Sequence, residues 1–265
     1  MKIQYMSDLH MELYDNSRYI KSKEFDANGD VLVLAGDTFY LRDIIAPQKR
    51  FWNWASKNFR QVLMVPGNHE FYGNGDVTER GDSWQWMFFA EQSGKAERRE
   101  NVGYYYNKVV RIDDVDFILT TLWSKIPEMD MFYVLRGMND FRQIMYDGRR
   151  FMPEDFNLEH KKCLRFLKHA VKESIAKHIV VVTHHLPTLA VVAARYMGSV
   201  LNGAFATELG NFIADSRIDA WIYGHSHTNI DTTIGNTKIV CNQMGYVFSN
   251  EHLTNGFESG KVIEL

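Results

Sequence analysis

Cysteine is nearly absent from this chain: Cys163 and Cys241 are the only two in 265 residues. They stand far apart and in no CxxC spacing, which excludes a disulfide framework and is the usage expected of a reducing compartment. Long apolar runs are missing too. None approaches the roughly 18 residues of a membrane span. The opening MKIQYMSDLH reaches Asp8 too soon for the apolar stretch of a secretory signal. The expectation is a soluble, cytoplasmic protein with no membrane partner. Charge of one sign is not in excess: 30 Lys and Arg face 33 Asp and Glu, for a net charge of −3. Nucleic acid is not an expected partner, because its binders usually carry a strong basic excess. Proline is scarce, at five residues. There is no Pro/Gly/Ser-rich linker, low-complexity tract or repeat, so a single domain over 1–265 is expected. Nothing here specifies an oligomeric state.

What is present is ordinary globular material, with 45% hydrophobic and 24% charged residues. The apolar residues fall into short runs, at 2–6, 31–35, 61–65, 115–122, 179–183 and 220–223. Runs of this length, rich in β-branched residues, read as buried strands. Helical patterns are expected between them at 47–59, 78–92, 157–177 and 203–215, with Asn157 as a cap for the third. The alternation predicts an α/β architecture. Residues 229–265 read as short strands with a turn at Gly235-Asn236. Residues 124–156 are the least regular and are expected to form an insertion or a long loop beside the site.

The polar residues gather where the strands end. Asp8 and His10 follow the first run and Asp37 follows the second. Asn68 and His69 follow the third, and His184 and His185 the run at 179–183. His225 and His227 follow the last, with only Gly224 and Ser226 between them and the strand. In α/β sheets, ligand groups collect beyond the carboxyl ends of strands. Any one of these side chains reads as a turn former or a satisfied polar group. All of them together are good ligands for a divalent ion, which separate turn explanations leave unexplained.

Mixed oxygen and nitrogen donors suit Zn, Mn, Fe, Ni or Co, and the lack of thiolates argues against a structural zinc site. So many donors exceed one tetrahedral ion. They fit two metals about 3.5–4 Å apart sharing a carboxylate. Two divalent ions outweigh Asp8 and Asp37 even with a bridging hydroxide. Such a centre stays electropositive and draws an anion such as a phosphate ester.

The ordered series D-x-H (Asp8, His10), G-D (Gly36, Asp37), G-N-H-E (Gly67 to Glu70), H (His184) and G-H-x-H (Gly224 to His227) resembles the calcineurin-like metallophosphoesterase superfamily. The resemblance implies two mixed β-sheets packed as a sandwich and flanked by helices, four layers in all. It implies one metal held by Asp8, His10, Asp37 and His227, and a second by Asp37, Asn68, His184 and His225, with Asp37 shared. His69 would stay off the metals and assist the leaving group, while a metal-bridging hydroxide attacks a small phosphomonoester or phosphodiester in line. His185 would lie behind the ligands or face the substrate.

The protein phosphatases of that superfamily read G-D-x-x-D-R-G after the second strand. Here Tyr40 and Leu41 occupy the Asp and Arg positions, and Pro66 precedes Gly67. The chain looks closer to bacterial-type phosphohydrolases and phosphodiesterases. TLWSK (121–125), MNDF (138–141) and CNQMGY (241–246) resemble members of that group. The departure leaves the acid that orients His69 without a candidate. Arg136, Asn139, Asp140 and Arg142 either reach toward the metals or belong to a solvated loop. The helix expected at 78–92 would bury most of Trp84, Trp86, Phe88 and Phe89. The competing readings are a nuclease of the same superfamily and a metal-binding scaffold without chemistry.

Overall fold

The computed structural model describes residues 1–41, 48–79, 88–90, 96–98 and 100–265. In chain order the principal elements open with β1 (Lys2–Met6), α1 (Tyr14–Ser22), β2 (Val31–Ala35), α2 (Lys49–Asn58) and β3 (Gln61–Val65). They continue with β4 (Phe88–Ala90), β5 (Ala96–Arg98), β6 (Val102–Tyr104), β7 (Lys108–Ile112) and β8 (Val115–Leu119). Next come α3 (Met131–Gly137), α4 (Asp140–Gln143), β9 (Met145–Tyr146), β10 (Arg149–Arg150) and α5 (Pro153–Glu173). The chain ends with β11 (His178–Val182), α6 (Gly210–Ala214), β12 (Ala220–Tyr223), β13 (Thr232–Ile234), β14 (Thr237–Cys241), α7 (Glu251–Thr254) and β15 (Val262–Glu264).

Two mixed sheets result. The first runs β15-β1-β2-β3-β6 and the second β13-β14-β12-β11-β8-β7. Their inner strands are parallel, and antiparallel strands sit at β15, β13 and β7. A continuous apolar run such as VLVLA fits a strand covered on both faces, because alternate side chains point to opposite sides. Val31, Val33 and Ala35 face the second sheet, where Phe117, Leu119, Val180, Val182 and Ile222 meet them. Leu32 and Leu34 face outward onto Phe51 and Trp52 of α2. On the far side, Ile179, Val181 and Trp221 pack against Phe156 and Leu167 of α5. Three apolar layers therefore separate four layers of structure, the sandwich that the family resemblance implies.

Several expectations change. The stretch 124–156 holds α3, α4, the β9–β10 hairpin and the start of α5 rather than one long loop. Helix α5 begins at Pro153, so Asn157 is inside it and does not cap it. Its amide instead bonds both the N–H and the C=O of Ile126. Of 203–215, only 210–214 is α-helical, after a short 3-10 turn at Asn202–Ala204. Most of the helix expected at 78–92, including Trp84 and Trp86, lies outside the described residues. Its described end is not helical, since Phe88–Ala90 is a strand paired antiparallel with Ala96–Arg98.

Candidate metal centre

The parallel strands of both sheets deliver their carboxyl ends to one edge. Loop-to-loop hydrogen bonds join them there. Asp8 N–H donates to Gly36 O at 3.0 Å and His10 N–H to Asp37 O at 2.9 Å. Within the second sheet, Gly224 N–H donates to His184 O at 2.9 Å, and across the sheets Thr121 Oγ1 donates to Pro66 O at 2.7 Å. Glu70 clamps the loops from below. Its carboxylate accepts from the N–H groups of Asp37, Thr38 and Gly67 and from Tyr104 OH.

The predicted side chains meet in this edge as two joined clusters. In the first, Nε2 of His10 and Nε2 of His227 are 3.0 Å apart, and His227 Nε2 is 3.4 Å from Asp8 Oδ1. In the second, His184 Nε2 lies 3.1 Å from Asn68 Oδ1, 3.1 Å from His225 Nδ1 and 3.4 Å from Asp37 Oδ1. Asp37 joins them, because its Oδ2 is 3.9 Å from His10 Nε2. Asp8, His10 and His184 are wholly buried, and Asp37, Asn68 and His225 nearly so.

The outer partners fix the tautomers. His184 Nδ1 is 2.9 Å from the carbonyl of Ala35, which can only accept, so that nitrogen carries the proton. His10 Nδ1 faces Glu12 Oε1 at 3.1 Å and His227 Nδ1 faces Glu251 Oε2 at 2.7 Å. With the outer nitrogens protonated, a ring that carries no second proton turns its lone pair toward the other rings and toward carboxylate and amide oxygens. A cation at each cluster is what satisfies them, and carboxylate behind imidazole is the usual support of a metal-bound histidine. The electrostatics agree. Burial disfavours charge on His184 and His227. Nevertheless Asp37 and Asp8 lift His184 to about 9, and Asp8 and Glu251 lift His227 to about 10. Burial alone would raise the Asp37 carboxyl, but His184, His69 and His10 hold it well below the usual carboxylate range. Glycine leaves the room required. A Cβ on Gly67 would sit against Asp37 Oδ1 and, at 2.7 Å, against His184 Nε2. One on Gly224 would stand 2.8 Å from Ala35 O and Asp8 Oδ2.

Residues 1–229, which contain all of these blocks, match the calcineurin-like phosphoesterase family. The chain belongs to that family. As a metallophosphoesterase it is 27% identical to the uncharacterised protein L509 of Acanthamoeba polyphaga mimivirus, over 99% of this chain and 96% of that one. Its fold resembles the phosphopantetheinyl hydrolase of Mycobacterium tuberculosis, with a TM-score of 0.64 at 14% identity, covering 99% and 95% of the two chains.

The backbone of this metallophosphoesterase is unusual at its own motifs. Asp8, His10, Asp37, His225 and His227 have φ of 56°, 46°, 51°, 80° and 51°. Histidine and aspartate take the left-handed region at a cost of about 1–3 kcal/mol each, typical of functional sites. The sharp turn after β12 is thus made by the histidines themselves. Gly224 contributes the close approach.

His69 stands at the cavity side. Its ring stacks on Tyr72 at 4.2 Å, and its Nδ1 is 3.0 Å from Glu12 Oε1. His185 is buried and absent from the cavity lining, packed 4.3 Å from the His225 ring and tilted against Trp123. It lies behind His225, a candidate ligand. The cavity beside the two clusters holds about 400 Å³, bordered by Tyr72, Asn139, Asp140, Arg195, Phe205 and Tyr246 among others. Arg136 and Arg142 are not in its lining. Arg136 lies over the Phe132 ring, and Arg142 bonds Arg136 O and Asn139 Oδ1. Arg195, which belongs to none of the sequence motifs, borders the cavity and donates to Thr228 Oγ1 at 3.2 Å. The three unexplained motifs acquire places. Thr121 of TLWSK ties the loops, and Asn139 and Asp140 of MNDF border the cavity. In CNQMGY, Gln243 Oε1 accepts from His227 N–H at 2.7 Å. Glu12 and Glu251 support the site without having stood out in the sequence. Only the closeness of Glu12 to His10 offered a signal.

Proposed function

We infer that the protein hydrolyses a small phosphomonoester or phosphodiester at a pair of divalent ions. Asp8, His10, Asp37 and His227 hold one, and Asp37, Asn68, His184 and His225 hold the other. The observation that carries this reading is the pair of donor clusters with Asp37 Oδ1 turned to one and Oδ2 to the other. Ions bound there (Mn, Fe, Zn, Ni or Co) supply Lewis acidity for the phosphoryl charge and a water activated near neutral pH.

The chain's own groups do the rest. The clusters lie at the floor of the cavity, so they orient a phosphoryl group with its ester oxygen toward His69. His69 carries Nδ1 against Glu12 and leaves Nε2 to give a proton to that oxygen. Tyr72 holds the ring from one face. The cavity walls, with Phe205, Tyr246 and Arg195, receive the organic part of the ester.

The test is hydrolysis of p-nitrophenyl phosphate and bis(p-nitrophenyl) phosphate by Mn-reconstituted protein, with and without EDTA. At least one ester is hydrolysed, in an EDTA-sensitive manner. Full activity in the metal-stripped protein would defeat the reading. Metal binding without hydrolysis of either ester would favour a scaffold.

A further inference from the structure

We propose that Glu12 is the positioning residue for His69, aligning the proton donor and tying it to the first metal position through His10. The proposal rests on the phosphoesterase reading above. Three observations carry it. Glu12 Oε1 lies 3.0 Å from His69 Nδ1 and 3.1 Å from His10 Nδ1, so one oxygen serves both rings. Its Oε2 is buried and makes no hydrogen bond among the described residues, so the carboxylate's bonding goes to those two imidazoles. The loop after β2, where related phosphatases carry an acid, has Tyr40 instead, its ring centroid 6.4 Å from that of His69.

The backbone explains how Glu12 reaches. His10 has φ 46°, which folds the chain back so that the side chain two residues later returns beneath both rings. The His10 and His69 rings meet edge to face at 4.4 Å. An acceptor at Nδ1 fixes the ring angle and stabilises the doubly protonated ring, which leaves its Nε2–H for the ester oxygen. As the bond from phosphorus to that oxygen breaks, its electron pair stays on oxygen and takes the proton from His69 Nε2. Water supplies the oxygen that phosphorus gains, and the proton that water releases restores His69.

A positioning role predicts a dependence on the leaving group that a structural role does not. p-Nitrophenolate departs as a stable anion, whereas an alkoxide needs the proton. In Glu12→Gln, the ratio of kcat on hexyl phosphate to kcat on p-nitrophenyl phosphate should fall on the order of 10²-fold, within the range of general acid catalysis. His69→Ala should show the same fall, and the double variant no further one. Metal content by mass spectrometry separates the alternative. Lost metal lowers both esters together and leaves the ratio intact. Glu12→Asp, which keeps the charge and shortens the reach, should lower the ratio by a smaller factor and stands in if the first variant does not fold. An unchanged ratio in both Glu12 variants, or additive losses in the double variant, overturns the proposal. Dihexyl phosphate and bis(p-nitrophenyl) phosphate replace the two monoesters if the protein cleaves only diesters, and failure of the wild-type protein on all four would instead overturn the underlying phosphoesterase reading and, with it, this one.

Discussion

At the scale of single residues, the site depends on where side chains are missing as much as on where they are present. Gly67 leaves the space in which Asp37 Oδ1 and His184 Nε2 approach each other. Gly67→Ala should therefore lose the second ion while keeping the fold. Metal stoichiometry by titration should fall from two equivalents toward one, with the far-ultraviolet dichroism unchanged. Two equivalents in the variant would show that the cradle is wider than the geometry indicates. The candidate ligands were legible in the sequence as a set, because successive strand ends all offer donors to a divalent ion, although each alone reads as a turn former. Asp8, His10, Asp37, Asn68, His184, His225 and His227 all arrive at one edge. Glu12 and Glu251 were not legible. An acid two residues past a histidine, or one opening a short helix such as α7, looks like any solvated carboxylate until the fold turns it toward an imidazole.

At the scale of elements, the strands were legible and the short helices were not. VLVLA and IVVVT (179–183) announce themselves by runs buried on both faces. The segment from α3 to β10 has no such run. Its pieces of two to seven residues are too short to hold by propensity and exist through tertiary bonds. The Asp76 carboxylate accepts from the N–H groups of Asp147 and Gly148, and Arg149 clasps Asp155. One such bond gives a pH prediction. Asp116 on β8 is almost fully buried. It accepts both a bidentate pair from Arg111 on β7, at 2.7 Å each, and Ser174 Oγ–H from just past α5. Arg111 chiefly, with Ser174, holds its carboxyl below the ordinary value despite the opposing burial. A carboxyl lowered by folding stabilises the protein above its unfolded value of about 3.9, and the benefit disappears as pH falls through the folded value. Asp116→Asn should therefore lower Tm at pH 7. Its deficit against the wild type should shrink below about pH 4. A deficit that does not change with pH would assign the effect to lost packing.

At the scale of the molecule, the two sheets are joined by apolar contacts between their faces and by polar groups at one edge. Asp8, Asp37 and Asn68 come from loops of the first sheet, and His184, His225 and His227 from loops of the second. An ion shared by donors from both sheets closes that edge, so its binding adds to the stability of the whole sandwich and not of one loop. The unfolded chain scatters the same donors over more than two hundred residues and holds no preformed site. Stabilisation then follows mass action and reaches about 2.7 kcal/mol at a free ion concentration one hundred times the Kd. Stripping the metal should lower Tm by several degrees. Adding Mn²⁺ back should raise it with the logarithm of concentration. His184→Ala removes the donor that faces Asn68, His225 and Asp37 together, and it should reduce that slope. A melting temperature indifferent to EDTA and to Mn²⁺ would mean that the edge is held by its hydrogen bonds alone. Asp8, Asp37, His184 and His227 would then be paired by protons, and no ion would bind both sheets.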